Sequence, residues 1–139
     1  MVQIIAGEKG KGKTKILLDK VNAEVQEAKG SIVYLDKSTK HMYELNNKVR
    51  LINVRDYCVE EPNEFLGFIC GLISQDHDLE KIYLDSFLKI ACTDDSDIEA
   101  VITKLETITS KFEVDFVISI SKNAEELPEI AKKYVVVSL

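Results

Sequence analysis

The sequence predicts an α/β domain in three layers, with helices on both faces of a mainly parallel sheet of about six strands. Three observations lead there. Short apolar runs that suit strands alternate with segments of helical periodicity along the chain. Only two prolines and six glycines interrupt the pattern, and three of those glycines fall within one stretch of eight residues. No linker, repeat or low-complexity tract divides the chain, so residues 1–139 read as a single domain large enough to bury a core.

Val2–Ala6 is a short apolar run that ends in glycine and predicts the first strand. Thr14–Ala28 has helical spacing, with Ile16, Leu17, Val21 and Val25 on one side, and Gly30 closes it as a C′ residue. Ser31–Asp36 (SIVYLD) is apolar through its middle, as suits a parallel strand covered on both faces. Lys37–Asn46 predicts a short helix that stops at the Asn46-Asn47 pair, followed by a strand over Val49–Val54 and a polar loop over Arg55–Pro62.

Asn63–Ser74 (NEFLGFICGLIS) is a strongly apolar helix whose two internal glycines lower its propensity. Lys81–Phe87 (KIYLDSF) is the fourth strand, and Leu88–Asp94 has no clear pattern. Ser96-x-x-Glu99 forms a capping-box signature for a helix over Asp97–Phe112. Val114–Ile120 (VDFVISI) is the fifth strand. Asn123-x-x-Glu126 predicts the start of a last helix near Ala124–Lys133, before a final strand over Tyr134–Ser138. Right-handed crossovers between parallel strands place helices on both faces.

Composition excludes several classes. With 45% hydrophobic and 30% charged residues the chain is an ordinary globular protein, not a disordered one. A net charge of -6 gives no support to non-specific nucleic-acid binding or to a polybasic lipid anchor. Val2-Gln3-Ile4-Ile5-Ala6 is too short for the apolar centre of a signal peptide, and no stretch approaches the roughly 18 apolar residues of a membrane span. The cytoplasm is the expected location. Cys58, Cys70 and Cys92 are odd in number and lack a C-x-x-C pair, so they read as reduced thiols. With only His41 and His77, a histidine-rich metal site is not expected.

The eight residues Gly7-Glu8-Lys9-Gly10-Lys11-Gly12-Lys13-Thr14 match G-x-x-x-x-G-K-[ST] at every fixed position. Glycines allow the unusual dihedrals and close backbone approach that such a loop needs. Its N–H groups then bind anionic oxygens, and the following helix directs its positive end at the same place. Lys13 is expected, exposed at the loop, to reach β- and γ-phosphates, and Thr14 to ligate magnesium. The expected ligand is a nucleoside triphosphate, with ATP and Mg2+ as the default pair. A lysine- and glycine-rich surface turn is the competing reading. The preceding strand and following helix favour the phosphate loop. Lys9, Lys11 and Lys15 either attract a polyphosphate at long range or simply solvate the loop.

A phosphate loop needs an acid at the end of a neighbouring strand to hold magnesium. Asp85, after Ile82-Tyr83-Leu84, fits, because ligands in such sheets lie beyond the carboxyl ends of the strands. It could otherwise only begin a turn. Asp36, after Ile32-Val33-Tyr34-Leu35, is the competitor: it could hold magnesium, orient water, contact a substrate or cap the helix expected after it. Ser119 and Ser121 lie at the end of the fifth strand, where Ser119 could sense the γ-phosphate or where the pair could simply start a turn.

These residues resemble a P-loop NTPase of the RecA-like branch. The resemblance covers nearly the whole chain, though only the eight-residue loop is specific. It implies a loop strand near the middle of the sheet with the Asp85 strand close by. The layout is also similar to small bacterial P-loop proteins, some labelled twitching-motility ATPases. That activity is not carried over, because the acid- and histidine-rich boxes of pilus motors have no counterpart around His41 and His77.

RecA-like ATPases often place a catalytic Glu directly after the magnesium Asp or at a neighbouring strand end. Here Ser86 follows Asp85 and Lys37-Ser38 follows Asp36, so slow hydrolysis is expected unless Asp36, Glu61 or Glu64 substitutes. An arginine finger must be Arg50 or Arg55 or come from another protein. The leading expectation is a nucleotide switch or weak, partner-activated Mg-dependent ATPase that acts with a protein partner or as a homo-oligomer, and Arg55–Glu64 is a candidate partner surface. The alternative is a small-molecule or nucleotide kinase, against which the sequence offers neither a lid insertion nor several arginines. A DNA-associated ATPase and an inactive remnant are further readings. Nothing in the sequence reads the base, so ATP over GTP is the default of the wider class; the N-K-x-D motif that guanine-specific switches commonly carry is not present.

Overall fold

A computed structural model describes residues 1–139. Six strands, β1 (Val2–Ala6), β2 (Ser31–Asp36), β3 (Val49–Asn53), β4 (Leu79–Leu84), β5 (Asp115–Ile120) and β6 (Val135–Ser138), form one sheet in the order β3-β2-β4-β5-β1-β6. Every neighbouring pair is parallel. The helices are α1 (Lys13–Glu24), α2 (Pro62–Gln75), α3 (Phe87–Ile90), α4 (Ile98–Phe112) and α5 (Glu129–Lys132). The α/β fold expected from the sequence is therefore the observed one. No helix is long and apolar enough to cross a membrane.

The strand alternation sets the layers. Val2, Ile4 and Ala6 of β1 enter a cluster of 26 buried residues together with Phe65 and Ile69 of α2 and Val101 and Leu105 of α4. Ile5, one position out of phase, enters a cluster of 10 with Leu17, Leu18 and Val21 of α1. Each buried Val, Leu, Ile or Phe side chain among these contributes about 1.5–3 kcal/mol relative to exposure, and Ala6 less. One face thus carries four helices and the other carries α1, where Leu45 of the β2–β3 connection packs beside it.

Several elements differ from expectation. The helix expected over residues 37–46 is absent, and only a 3-10 turn at Met42–Glu44 forms. Side chains capture the backbone there. Asp36 accepts from the Lys37 N–H, Ser38 from Lys40, and Asn22 of α1 bonds both the Glu44 carbonyl and the Asn46 N–H. Gly30 does not cap α1, which ends at Glu24; it is needed because an added Cβ would lie 1.9 Å from the Asp78 carbonyl oxygen.

β4 ends at Leu84, since Ser86 takes φ 55° and the chain turns into α3 at Phe87. The Ser96 capping box does not form: Asp97 occupies the N-cap with no side-chain bond, and Ser96 bonds Asp94 instead. Pro128 divides the last expected helix into a 3-10 turn at Ala124–Glu126 and the short α5. β1 lies one strand in from the edge, not near the middle, and β5 separates it from β4.

Candidate functional site

The loop from β1 to α1 reaches its shape through two glycines. Gly10 has φ 86° and Gly12 φ 93°, in the left-handed region where a Cβ costs roughly 1–2 kcal/mol. α1 begins at Lys13 directly after Gly12, so the unpaired N–H groups and the positive end of the helix dipole open at the loop.

Lys13 is 7% exposed, contrary to the exposed position expected. Its Nζ folds back and donates to the Glu8 carbonyl at 2.9 Å. Burial lowers the pKa of this ammonium, and the negative charge of Asp85 opposes the change. Thr14, one residue on, donates its hydroxyl to Asp85 Oδ1 at 3.3 Å.

Asp85 is the hub. It sits just beyond β4, buried, and its backbone N–H still pairs with the Leu35 carbonyl of β2. Oδ1 accepts from Ser119 Oγ at 2.6 Å and from the Ser86 N–H at 2.9 Å, and Oδ2 accepts from Tyr34 Oη at 2.8 Å. These donors offset the expense of burying a carboxylate. Burial, followed by the charge of Asp85, pushes the Tyr34 phenol far above its usual range, so it stays a donor. Ser119, while donating to Asp85, accepts from Ser86 N–H at 3.0 Å. Its hydroxyl therefore orients Asp85 and the turn after β4.

Asp36 lies at the end of β2, next to β4, and is 3% exposed. Burial first, then the neighbouring charge of Asp85, raises its pKa to about 6. With no helix following, it caps a bend through the Lys37 N–H at 2.7 Å.

These groups surround a cleft of about 580 Å³. Of the loop residues and neighbours singled out in the sequence, Lys9, Gly10, Gly12, Lys13, Thr14, Ser119 and Ser121 line it, as do Asp36 and Asp85. Gly7, Glu8, Lys11 and Lys15 do not. The Glu8 carboxylate accepts from Asn123, and Lys15 pairs with Asp19 at 3.1 Å. Glu61 and Glu64 are also outside the lining; the Glu64 carboxylate accepts from the Glu60 N–H. Neither Arg50 nor Arg55 lines the cleft.

Sequence reasoning missed Tyr34, Lys37, Lys40, His41 and Lys89. The last four follow the carboxyl ends of β2 and β4, the place where open sheets bind ligands, and that position was a usable signal. Tyr34 gave none, being one apolar-looking residue in a buried strand.

No group of three or more His, Cys, Asp or Glu side chains is positioned to hold a metal ion. The Thr14 hydroxyl and Asp85 carboxylate do offer two adjacent hard oxygens. Magnesium commonly takes one or two carboxylates and completes its shell with phosphate oxygens and water, so the pair suits a metal that arrives with a nucleotide.

No protein-family model matches the chain, and no curated protein sequence matches it. Among solved structures it is similar to the flagellar accessory protein FlaH from Methanocaldococcus jannaschii, with a TM-score of 0.61 and 17% identity over 93% of this chain. The chain spans 63% of the length of that protein. A likeness at this identity shows a shared fold.

Proposed function

We propose that the chain is a RecA-like P-loop protein that binds ATP with magnesium and hydrolyses it slowly or on contact with a protein partner. One observation carries this reading: Thr14, at the start of the helix after a glycine loop, meets Asp85, 71 residues away at the end of another strand. A glycine-rich surface turn has no reason to place its threonine against a buried carboxylate.

Lys13 would exchange the Glu8 carbonyl for β- and γ-phosphate oxygens, a stronger, charge-assisted contact. Thr14 and Asp85 would hold magnesium, whose chemistry there is to neutralise charge on those phosphates. Tyr34, Ser119 and Ser86 keep Asp85 aimed. Asp36 is the candidate for accepting a proton from water. It is the one lining acid besides Asp85, and a pKa of about 6 leaves it ionised yet basic near neutrality. Because neither arginine lines the cleft, rapid hydrolysis would draw an arginine from a partner or a second copy.

Calorimetry and single-turnover hydrolysis, with protein in excess over ATP and magnesium, test this. Lys13→Ala should lose roughly 10–100-fold in affinity, the worth of a hydrogen bond to a charged group. Asp36→Asn should keep binding and lose the slow turnover. Unchanged affinity in Lys13→Ala would overturn the reading. The alternative, a small-molecule kinase, is favoured by the lysines that line the cleft beyond the loop, and transfer of the γ-phosphoryl group to an acceptor other than water would replace hydrolysis as the activity.

A further inference from the structure

We infer that the cleft contains a second phosphate subsite, formed by Lys37, Lys89 and Lys9, which takes a phosphate group of a small, strongly polar molecule bound beside the nucleotide. The inference rests on the nucleotide reading above and names the class of molecule to which the nucleotide state is coupled.

The three lysines come from separate segments. Lys9 is in the loop after β1, Lys37 directly follows β2, and Lys89 lies on α3 after β4. All three line the same cleft. They are close enough that Lys37, above all, and then Lys9 hold the Lys89 ammonium below its usual pKa, and Arg55 adds to the effect. Six lysines, Lys15, Lys20, Lys81, Lys122, Lys132 and Lys133, pair with carboxylates, and these three are among the lysines that do not; what sets them apart is that they gather in one cleft. In a chain of net charge -6, the cleft lining still holds five lysines against two carboxylates, Asp36 and Asp85; the charge of Lys37 acts on Asp36, and no salt bridge joins either carboxylate to Lys9, Lys37 or Lys89. Like charges gathered in excess of counter-charge repel, and an anion placed among them relieves the repulsion.

The nucleotide's own phosphates are already provided for by the glycine loop, the start of α1 and Lys13. β2 stands three strand spacings from β1 in the sheet order, roughly 14 Å at about 4.8 Å per spacing, so the backbone of Lys37 enters the cleft from the side away from the loop, and Lys9 is the one lysine of the three that the loop contributes. Leu88 is the single apolar side chain in the lining. That excludes a lipid tail and leaves a compact polar phosphate ester or polyphosphate as the fitting class.

The test uses inorganic pyrophosphate as probe, followed by calorimetry at constant ionic strength. Wild-type protein is first saturated with magnesium and a non-hydrolysable ATP analogue, so that the loop is filled. It should then bind about one further equivalent of pyrophosphate. The double variant Lys37→Gln/Lys89→Gln should lose that event by about tenfold or more, the scale of a charge-assisted contact, and bind the analogue as wild type does. No pyrophosphate uptake by the loaded wild type overturns the subsite. So does a double variant that loses analogue affinity as Lys13→Ala does, because those lysines would then serve the triphosphate. If wild type does not bind the analogue, the nucleotide reading falls by itself. Pyrophosphate binding that survives Lys13→Ala and disappears in the double variant would still uphold the second subsite.

Discussion

At the residue scale, Asp36 links stability to the site. Its folded pKa of about 6 lies above the ordinary value of 3.8, because burial and the adjacent Asp85 disfavour its charge. Between those values the folded state holds the proton more tightly than the unfolded one. Its contribution to stability is therefore full at low pH and is lost as pH rises from about 4 to about 6. The loss is on the order of 2–3 kcal/mol, at 1.36 kcal/mol per pKa unit. Asp36→Asn cannot ionise and keeps an oxygen for the Lys37 N–H. Urea denaturation should show a flatter profile for the variant across that interval and greater stability than wild type at pH 7–8. Parallel profiles would mean that Asp36 is not buried at a penalty. The same scale shows what the sequence carried about the site. Asp85 was legible because an apolar strand ending in an acid at a carboxyl edge is a local pattern. The inward fold of Lys13 was not, since its acceptor is the carbonyl of Glu8 and depends on the loop's dihedrals. Nor was the bond from Tyr34 to Asp85, which depends on the register that sets β2 against β4.

At the scale of elements, local pattern succeeded wherever burial governed and failed where side chains competed for the backbone. β2 was read to its end residues because its interior is buried throughout. The connection after it has the local pattern of a helix yet forms none, because Asn22, from α1, holds its far end, and no window of sequence contains that contact. Ser96 has the spacing of a cap but does not serve as one, because its N–H and hydroxyl both bond Asp94, two residues earlier. α2 shows burial overriding propensity. Phe65 and Ile69 are fully buried against the sheet, so the helix persists despite Gly67 and Gly71. Both glycines are exposed, and a Cβ added at either meets nothing within 4 Å. Replacing each with alanine should stabilise the protein by about 0.5–1 kcal/mol, through lower backbone entropy in the unfolded chain. Chemical denaturation of Gly67→Ala, Gly71→Ala and the double variant would measure this. A loss of stability in either single variant would mean that this face of α2 is covered in the protein's working state.

At the scale of the molecule, the cleft is assembled from distant parts of the chain: the loop after β1, the ends of β2 and β4, and Ser119 of β5. The sequence supplied these strands but not their order, because a parallel strand buried on both faces carries no mark of its neighbours. The position of β1 beside β6 and β5, away from β2, came from tertiary packing alone. A ligand seated in such a cleft contacts four strand ends together, and none of those contacts exists in the unfolded chain. Binding must then appear as global stability, following RT ln(1 + [L]/Kd). With Mg-ATP at about 100 times its Kd, the gain is about 2.7 kcal/mol. For a domain of this size, at roughly 3 °C per kcal/mol, the melting temperature should rise by about 8 °C. Lys13→Ala, with affinity down roughly 10–100-fold, should keep only about 0.4–1.4 kcal/mol of that gain at the same ligand concentration, a rise of about 1–4 °C. Asp85→Asn should lose the part that depends on magnesium and keep the part that ATP gives alone, since the loop and Lys13 remain intact. If Asp36→Asn loses the magnesium-dependent part instead, the metal ligand sits on β2, and the hydrogen-bonded Asp85 serves to brace the cleft floor. Equal shifts in wild type and Lys13→Ala would put the nucleotide outside this cleft and leave residues 7–14 as a glycine-rich turn.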